Sequence, residues 1–346
     1  MTFRLSAATL LAALLAVPAA AQDDIVTLHN GTVLTGVKVV SFDIRSLRYT
    51  KGSTNEQVSS DQIARVELKK FADVYRRGLR DPDLMLTVAR EKLAEKDVLL
   101  AQFGFVGASA QFFDNDEPAK AVGALEEMQK GIPEAGLLPE IHRQKFEFYS
   151  GQGTKGAGNA AAVAKKYAQE ALTGGWPGGF AVEAEFFAAL AEAKDPKDYQ
   201  AKLRAVAQKA GGNMPLVTNR ANVALAHSLR ETKDVDGAQR IYEDVVKKES
   251  VDSSSRAGAY LGIGKILLEK AAPGEKDKFK EAMLLFLRVR LETRDCWPSL
   301  QAEALYHAIL AAQKWQGPEF ALVMGRCRSV LNAEFGGTEW AERAKR

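Results

Sequence analysis

Hydrophobic positions along this chain follow one rhythm up to about residue 70 and another after it. In the first stretch they alternate. Val26 and Leu28 are separated by a polar residue, and Asn30-Gly31 supplies the backbone freedom of a tight hairpin turn. Leu34, Gly36, Lys38, Val40 and Phe42 then share one strand face, with Val33, Thr35, Val37 and Val39 on the other. Leu47 and Tyr49 mark a third strand, Lys51-Gly52-Ser53 turns it, and Ile63, Val66 and Leu68 close the segment. Four or five short strands within residues 22–70 predict a small all-β barrel. From about residue 72 the apolar positions recur every three or four residues, the period of a helix. Residues 71–97 read as a linker and a first helix, with Asp81-Pro82-Asp83 as its start: Asp as N-cap and Pro in the first turn. Gly and Pro punctuate the chain at 131–139, 151–158, 173–179, 211–215 and 271–274, leaving segments long enough for helices of ~10–20 residues. The expected fold is mainly α, helix hairpins behind a small β-domain.

The first 21 residues change the picture of where the chain works. Arg4 precedes an apolar run from Leu5 to Val17, shorter than the ~20 residues that span a bilayer. Pro18 breaks it, and Ala19-Ala20-Ala21 before Gln22 is a small-residue cleavage pattern, so removal is expected after Ala21. A single Arg does not indicate a twin-arginine route, and no Cys near the cut offers a lipid anchor. A periplasmic or secreted location follows, with no stable membrane insertion of the mature chain. Charge adds little. Lys+Arg is 47 and Asp+Glu 44, with no basic stripe, so nucleic acid is not indicated as a partner. The two Cys, Cys296 and Cys327, are open to a disulfide or to life as small core residues.

The helical region carries a more specific signal. Phe105, Ala108, Ser109, Phe112, Ala121, Leu125, Met128 and Pro133 fall at intervals of 3, 1, 3, 9, 4, 3 and 5. This resembles the tetratricopeptide helix–turn–helix repeat, in which small residues let two helices approach and bulky ones fill the gap. Echoes occur at Leu225, Ala226, Leu229, Ala238, Tyr242 and Val245; at Ala259-Tyr260-Leu261-Gly262 with Ala282, Phe286 and Val289; and at Ala302, Leu305, Tyr306 and Ile309. The separations give periods of ~40 residues against ~34 for the parent repeat. The resemblance implies a tetratricopeptide-like α-solenoid of about six helix pairs over residues 98–346. The β segment resembles an SH3-like or Sm-like barrel. Its Leu28, Gly31, Gly36 and Asp43 follow the first Sm motif, with Ser46 where those proteins carry Asn and no second motif to complete an RNA pocket.

Candidate chemistry is sparse. Gly151-Gln152-Gly153-Thr154-Lys155-Gly156 satisfies a phosphate-loop spacing without the preceding strand that would aim its amides, so no cofactor is expected. The four His, at 29, 142, 227 and 307, show no metal-ligand spacing, and Asp114-Asn115-Asp116-Glu117 lacks the Gly and distant Glu of a calcium loop, so no metal is expected. Glu249-Ser250 with Ser255, Gly258 and Ala259 resembles the signature of lytic transglycosylases, which would make Glu249 a general acid on peptidoglycan. Gly262-Ile263-Gly264-Lys265 departs from that family, and the repeat register gives Glu249 a plain place at a helix end. The tetratricopeptide resemblance implies that His227 and His307 face the concave groove, with Arg220 and Arg230 turned the same way. Val223 stands where the Lys of a peptide-carboxylate clamp would be. The turn Phe335-Gly336-Gly337-Thr338-Glu339-Trp340-Ala341 resembles the inter-repeat turn of envelope tetratricopeptide proteins. The expectation is a non-enzymatic interaction or scaffold protein of the bacterial envelope, holding a protein segment through Arg220, His227, Arg230 and His307. The alternatives are a glycan-cleaving enzyme using Glu249 and a self-assembling structural module.

Overall fold

Strands form where alternation and turn residues place them. In the computed structural model, β1 (Asp24–Leu28), β2 (Val33–Phe42), β3 (Ser46–Lys51), β4 (Thr54–Ser59) and β5 (Ile63–Glu67) make one antiparallel sheet, ordered β4-β3-β2-β1-β5. The structure describes residues 23–345 apart from 77, 79–80, 116, 193–194, 249–250 and 294–295. The expected export signal, Asp116 and Glu249-Ser250 therefore lie outside the described residues.

The sheet is open, not the closed barrel that the alternation predicts; β4 and β5 are its edges. β4, with the sequence Thr-Asn-Glu-Gln-Val-Ser, is largely exposed and has no apolar stripe to bury against β5. The apolar face, with Val26, Val37, Phe42, Leu47 and Ile63, shares one core with the first helices. A barrel hides its inner face by closing on itself; here helices cover it, and closure is unnecessary. The strict alternation of β2 also fails. Val40, expected on the Phe42 face, is 58% exposed. The β2–β3 register shifts between Val39 and Ser41. That bulge lets Val39 and Phe42 both point inward. Asp24 Oδ2 accepts from the Val39 amide at 2.8 Å beside it, and Oδ1 accepts from the Lys69 amide at 2.7 Å, where the helices begin.

A short helix α1 (Lys69–Val74) leads to α2 (Pro82–Ala94), capped by Asp81 Oδ1 accepting from the Leu84 amide at 3.0 Å. Among the described residues six hairpins follow. They are α3 (Val98–Asp114) with α4 (Pro118–Gly131), α5 (Leu138–Gly151) with α6 (Ala157–Thr173), and α7 (Gly178–Ala191) with α8 (Pro196–Ala210). Then come α9 (Pro215–Glu231) with α10 (Val235–Lys247), α11 (Ser253–Lys270) with α12 (Lys276–Glu292), and α13 (Pro298–Trp315) with α14 (Phe320–Glu334). A last short helix, α15 (Glu339–Ala344), closes the chain. Phe105, Ala108, Ser109, Phe112, Ala121, Leu125 and Met128 are all fully buried, as the interlocking of α3 and α4 requires. In the α9–α12 hairpins the same slots hold Ala226, Ala238, Tyr242, Ala259 and Ala282, also buried. Gly262 shows why small residues are needed: a Cβ there would enter the Tyr242 ring.

Odd-numbered helices from α3 form an inner layer, and even-numbered ones an outer layer. α9 buries nine residues and α10 three, because the inner helix also packs on α7 and α11. The inner layer curls until α13 returns to pack on α5. Trp297, at the start of α13, stacks on Phe187 of α7 with centroids 6.4 Å apart. The sheet docks against α3, the α4–α5 link and the start of α7. Asp43 pairs as a β-bridge with Ala135, the Ile44 amide donates to the Glu134 carbonyl at 2.9 Å, and Gln102 of α3 donates to the Phe42 carbonyl at 3.0 Å. Asp61 Oδ2 accepts from the Gly179 amide at 2.9 Å at the N-terminus of α7. Among the described residues no helix is long and apolar enough to cross a membrane.

Candidate functional site

The return of α13 to α5 leaves a cleft of about 1130 Å3 between the first two hairpins and the last two. Local sequence sets its walls. Pro139 and Pro298 sit in the first turns of α5 and α13, where a missing N–H costs nothing. Gly336-Gly337 carries the chain from α14 to Thr338, whose Oγ1 accepts from the Ala341 amide at 3.3 Å and caps α15. One wall is aromatic, Phe113 of α3 and Phe148 of α5 with centroids 4.7 Å apart. The opposite wall is fixed by Arg290, which donates to Gln301 at 2.6 Å and to both Glu334 oxygens at 2.8 and 2.6 Å.

Among the described residues, two side chains of α5 that line this space each hold an enclosed oxygen without a partner. Gln144 donates through Nε2 to the Val106 carbonyl at 3.3 Å, but its Oε1 is shut off from solvent and unmatched. Glu147, one turn on, has Oε1 equally enclosed and unmatched. Burial pushes the Glu147 carboxyl up to about 8, with Asp114 and Glu140 adding to the rise and Arg220 opposing it. The crowded cleft also raises the Asp114 carboxyl by desolvation. Buried acceptors without donors are uncommon, since each forfeits its hydrogen bonds to water.

Beside the cleft, the interior of the curl is held by a charged group. Arg143 donates to Glu183 at 2.7–3.1 Å and also reaches Glu140. Tyr167 donates to Glu183 at 2.6 Å. Burial opposes the Glu183 charge, but Arg143 outweighs it, and the carboxyl stays below its usual range. His29, from the β1–β2 turn, borders this group, and burial with the Arg143 charge lowers it to about 4. Two charges taken out of water need this many partners to break even.

The four residues expected to face the groove separate into two places, and each has an internal partner. Arg220 lies near the Arg143 group, its Nε 3.3 Å from Asp252 and its guanidinium 5.0 Å above the Trp297 ring. The other three gather further along the inner layer. His227 Nδ1 meets the Tyr242 hydroxyl at 2.6 Å, Arg230 pairs with Glu269, and His307 stacks against Phe286 at 5.4 Å. Burial, then the charges of Lys265 and Arg230, depress both His227 and His307 to about 3. Asp252 caps α11 through the Ser255 amide at 3.1 Å. The Gly151–Gly156 run follows helix α5 and contains a 3-10 turn, with Gly153 at φ 60° packed near Glu339. Among the described residues no group of three or more His, Cys, Asp or Glu is placed to hold a metal ion. Cys296 and Cys327 are both buried free thiols, and burial raises each to about 11.

No protein-family model matches the chain, and no curated protein matches it either. Sequence reasoning missed Gln144 and Glu147. On α5 they read as the ordinary polar face of an amphipathic helix, since the helix that covers them lies about 150 residues downstream.

Proposed function

We propose that this is an exported, non-enzymatic binding protein of a bacterial cell envelope, built as a divergent tetratricopeptide-like solenoid. It holds an extended segment of a partner protein between its first two hairpins and its last two. The observation that carries the reading is the cleft itself, large enough for several residues of chain and walled by both ends of the hairpin array. Export rests on the Arg4–Ala21 pattern. The repeat-like identity rests on the Phe105–Met128 spacing and the burial of each of those positions. The inner-layer cations Arg143, Arg220, Arg230 and Lys265 are already held in internal ion pairs, so binding belongs in the cleft and not along the whole curl.

Site-specific photo-crosslinking tests this. A photoreactive residue at Phe113, in the cleft, should capture one recurrent protein from the native envelope, and one at the exposed Leu172 should not. The captured protein should bind again when both are purified. Capture of this chain alone would support self-assembly instead. Release of soluble fragments from peptidoglycan, lost in Glu249→Gln, would overturn the reading in favour of a glycan-cleaving enzyme.

A further inference from the structure

The cleft is not neutral in what it asks of an occupant. Among the described residues that line it, Asp114, Glu117, Glu147 and Glu334 are acidic and Arg290 is basic. Arg290 is consumed by Glu334, and Glu117 pairs with Lys120 at 2.8 Å. The acids left over are Asp114, at the mouth, and Glu147, at the floor. Beside Glu147 stands Gln144 Oε1, a second enclosed acceptor with no donor. Once Glu147 is ionised both orphan atoms accept, so the missing group is a donor. A neutral amide could serve both, but only a cation serves both and also balances the charges of Asp114 and an ionised Glu147. The Phe113–Phe148 wall adds a surface on which an alkyl stem or a guanidinium plane can lie.

We propose that the cleft takes a cationic side chain, a lysine ammonium or an arginine guanidinium, presented by an extended segment of the partner, with Gln144 Oε1 and Glu147 Oε1 as its acceptors. This rests on the reading of the cleft as a peptide site and names the chemistry that the site selects. Asp114 draws the cation in from the mouth. Phe113 and Phe148 exclude water from its stem, which strengthens each charge-assisted hydrogen bond. The groups facing Glu147 are Asp114 from α3, Glu140 from its own helix, Arg220 from α9 and Cys296 ahead of α13. Arg220 is already paired with Asp252. The arriving cation therefore supplies the charge that Glu147 lacks, and the carboxyl ionises on binding, giving its proton to buffer.

Capped decapeptide pools test the inference, with the central residue fixed as Lys, Arg, Gln, Leu or Glu and all others randomised. Fluorescence anisotropy with the full mature chain should show the Lys and Arg pools binding about tenfold or more tighter than the Gln pool. Glu147→Gln and, at the open mouth, Asp114→Asn should each shrink that preference without loss of the cooperative unfolding transition. Calorimetry at pH 7 in phosphate and in Tris should report release of close to one proton per bound Lys peptide for the wild type and none for Glu147→Gln. Equal binding of all pools, or preference for Leu or Glu, would overturn the cationic assignment and leave the peptide cleft standing. Butylammonium binding as tightly as the Lys pool would overturn the peptide source. Failure of every pool to bind would overturn both.

Discussion

Exchanging the Glu147 carboxyl for an amide of the same shape measures what the cleft costs the fold. In the folded protein this carboxyl titrates near 8, against 4.5 for an ordinary glutamate. Between those values the native chain holds a proton that the unfolded chain has lost, so stability falls as pH rises. The contribution is fully present below about pH 4.5 and gone once the pH passes 8. At about 1.4 kcal/mol per pKa unit, the rise sets a ceiling of about 5 kcal/mol. Water that reaches the cleft reduces this, and a loss of about 2–4 kcal/mol between pH 5 and pH 8.5 is expected. Glu147→Gln has no such titration. Urea unfolding of both proteins at several pH values gives the readout as their difference. The histidines titrate in both chains and cancel from that difference. The variant should match the wild type near pH 5 and exceed it by the stated amount at pH 8.5. Parallel curves across the range would show that Glu147 is solvated and would remove the premise of an unpaired floor carboxyl.

Gly262→Ala drives a methyl into the Tyr242 ring and should cost about 1–3 kcal/mol in thermal or urea unfolding, whereas Gly123→Ala, mid-helix in open space, should stabilise by about 0.5–1 kcal/mol. Glu183→Ala strands the Arg143 guanidinium in the interior and should cost about 3–5 kcal/mol, read as a fall in urea midpoint. His227 and His307 stay neutral in the fold down to about pH 3, and His29 to about 4, while the unfolded chain takes up protons from about 6.5. Their contribution is present above pH 6.5 and lost as pH falls, so the urea midpoint should drop between pH 6.5 and 4, less steeply in His227→Gln. Cys296 and Cys327, buried and raised to about 11, should resist a thiol reagent in the native protein at pH 8 and both react in urea.

The strands and helices were legible because each is a short-range property. Asn30-Gly31, the alternation through Leu47 and Tyr49, and Asp81-Pro82 act within a few residues of chain. The Phe105–Met128 spacing predicted two interlocked helices, and every one of those side chains is buried. Alternation misled at Val40, where a bulge shifts the register and the partner strand decides which face is inside. It misled again on barrel closure. Whether a sheet closes depends on what else covers its apolar face, and here that cover is a set of helices encoded far downstream.

The candidate site was legible only in part. Arg220, His227, Arg230 and His307 do lie on inner-layer helices, but their partners Asp252, Tyr242, Glu269 and Phe286 belong to neighbouring helices that no local pattern announces. By itself the sequence determined the two periodicities, the hairpin array and the small-residue slots, since these follow from backbone geometry and side-chain volume over a few turns. Only the tertiary structure decided that the array curls until α13 meets α5. That curl encloses Gln144 and Glu147. The cost of an unmatched acceptor depends on the water it loses, and only the assembled fold sets how much water remains.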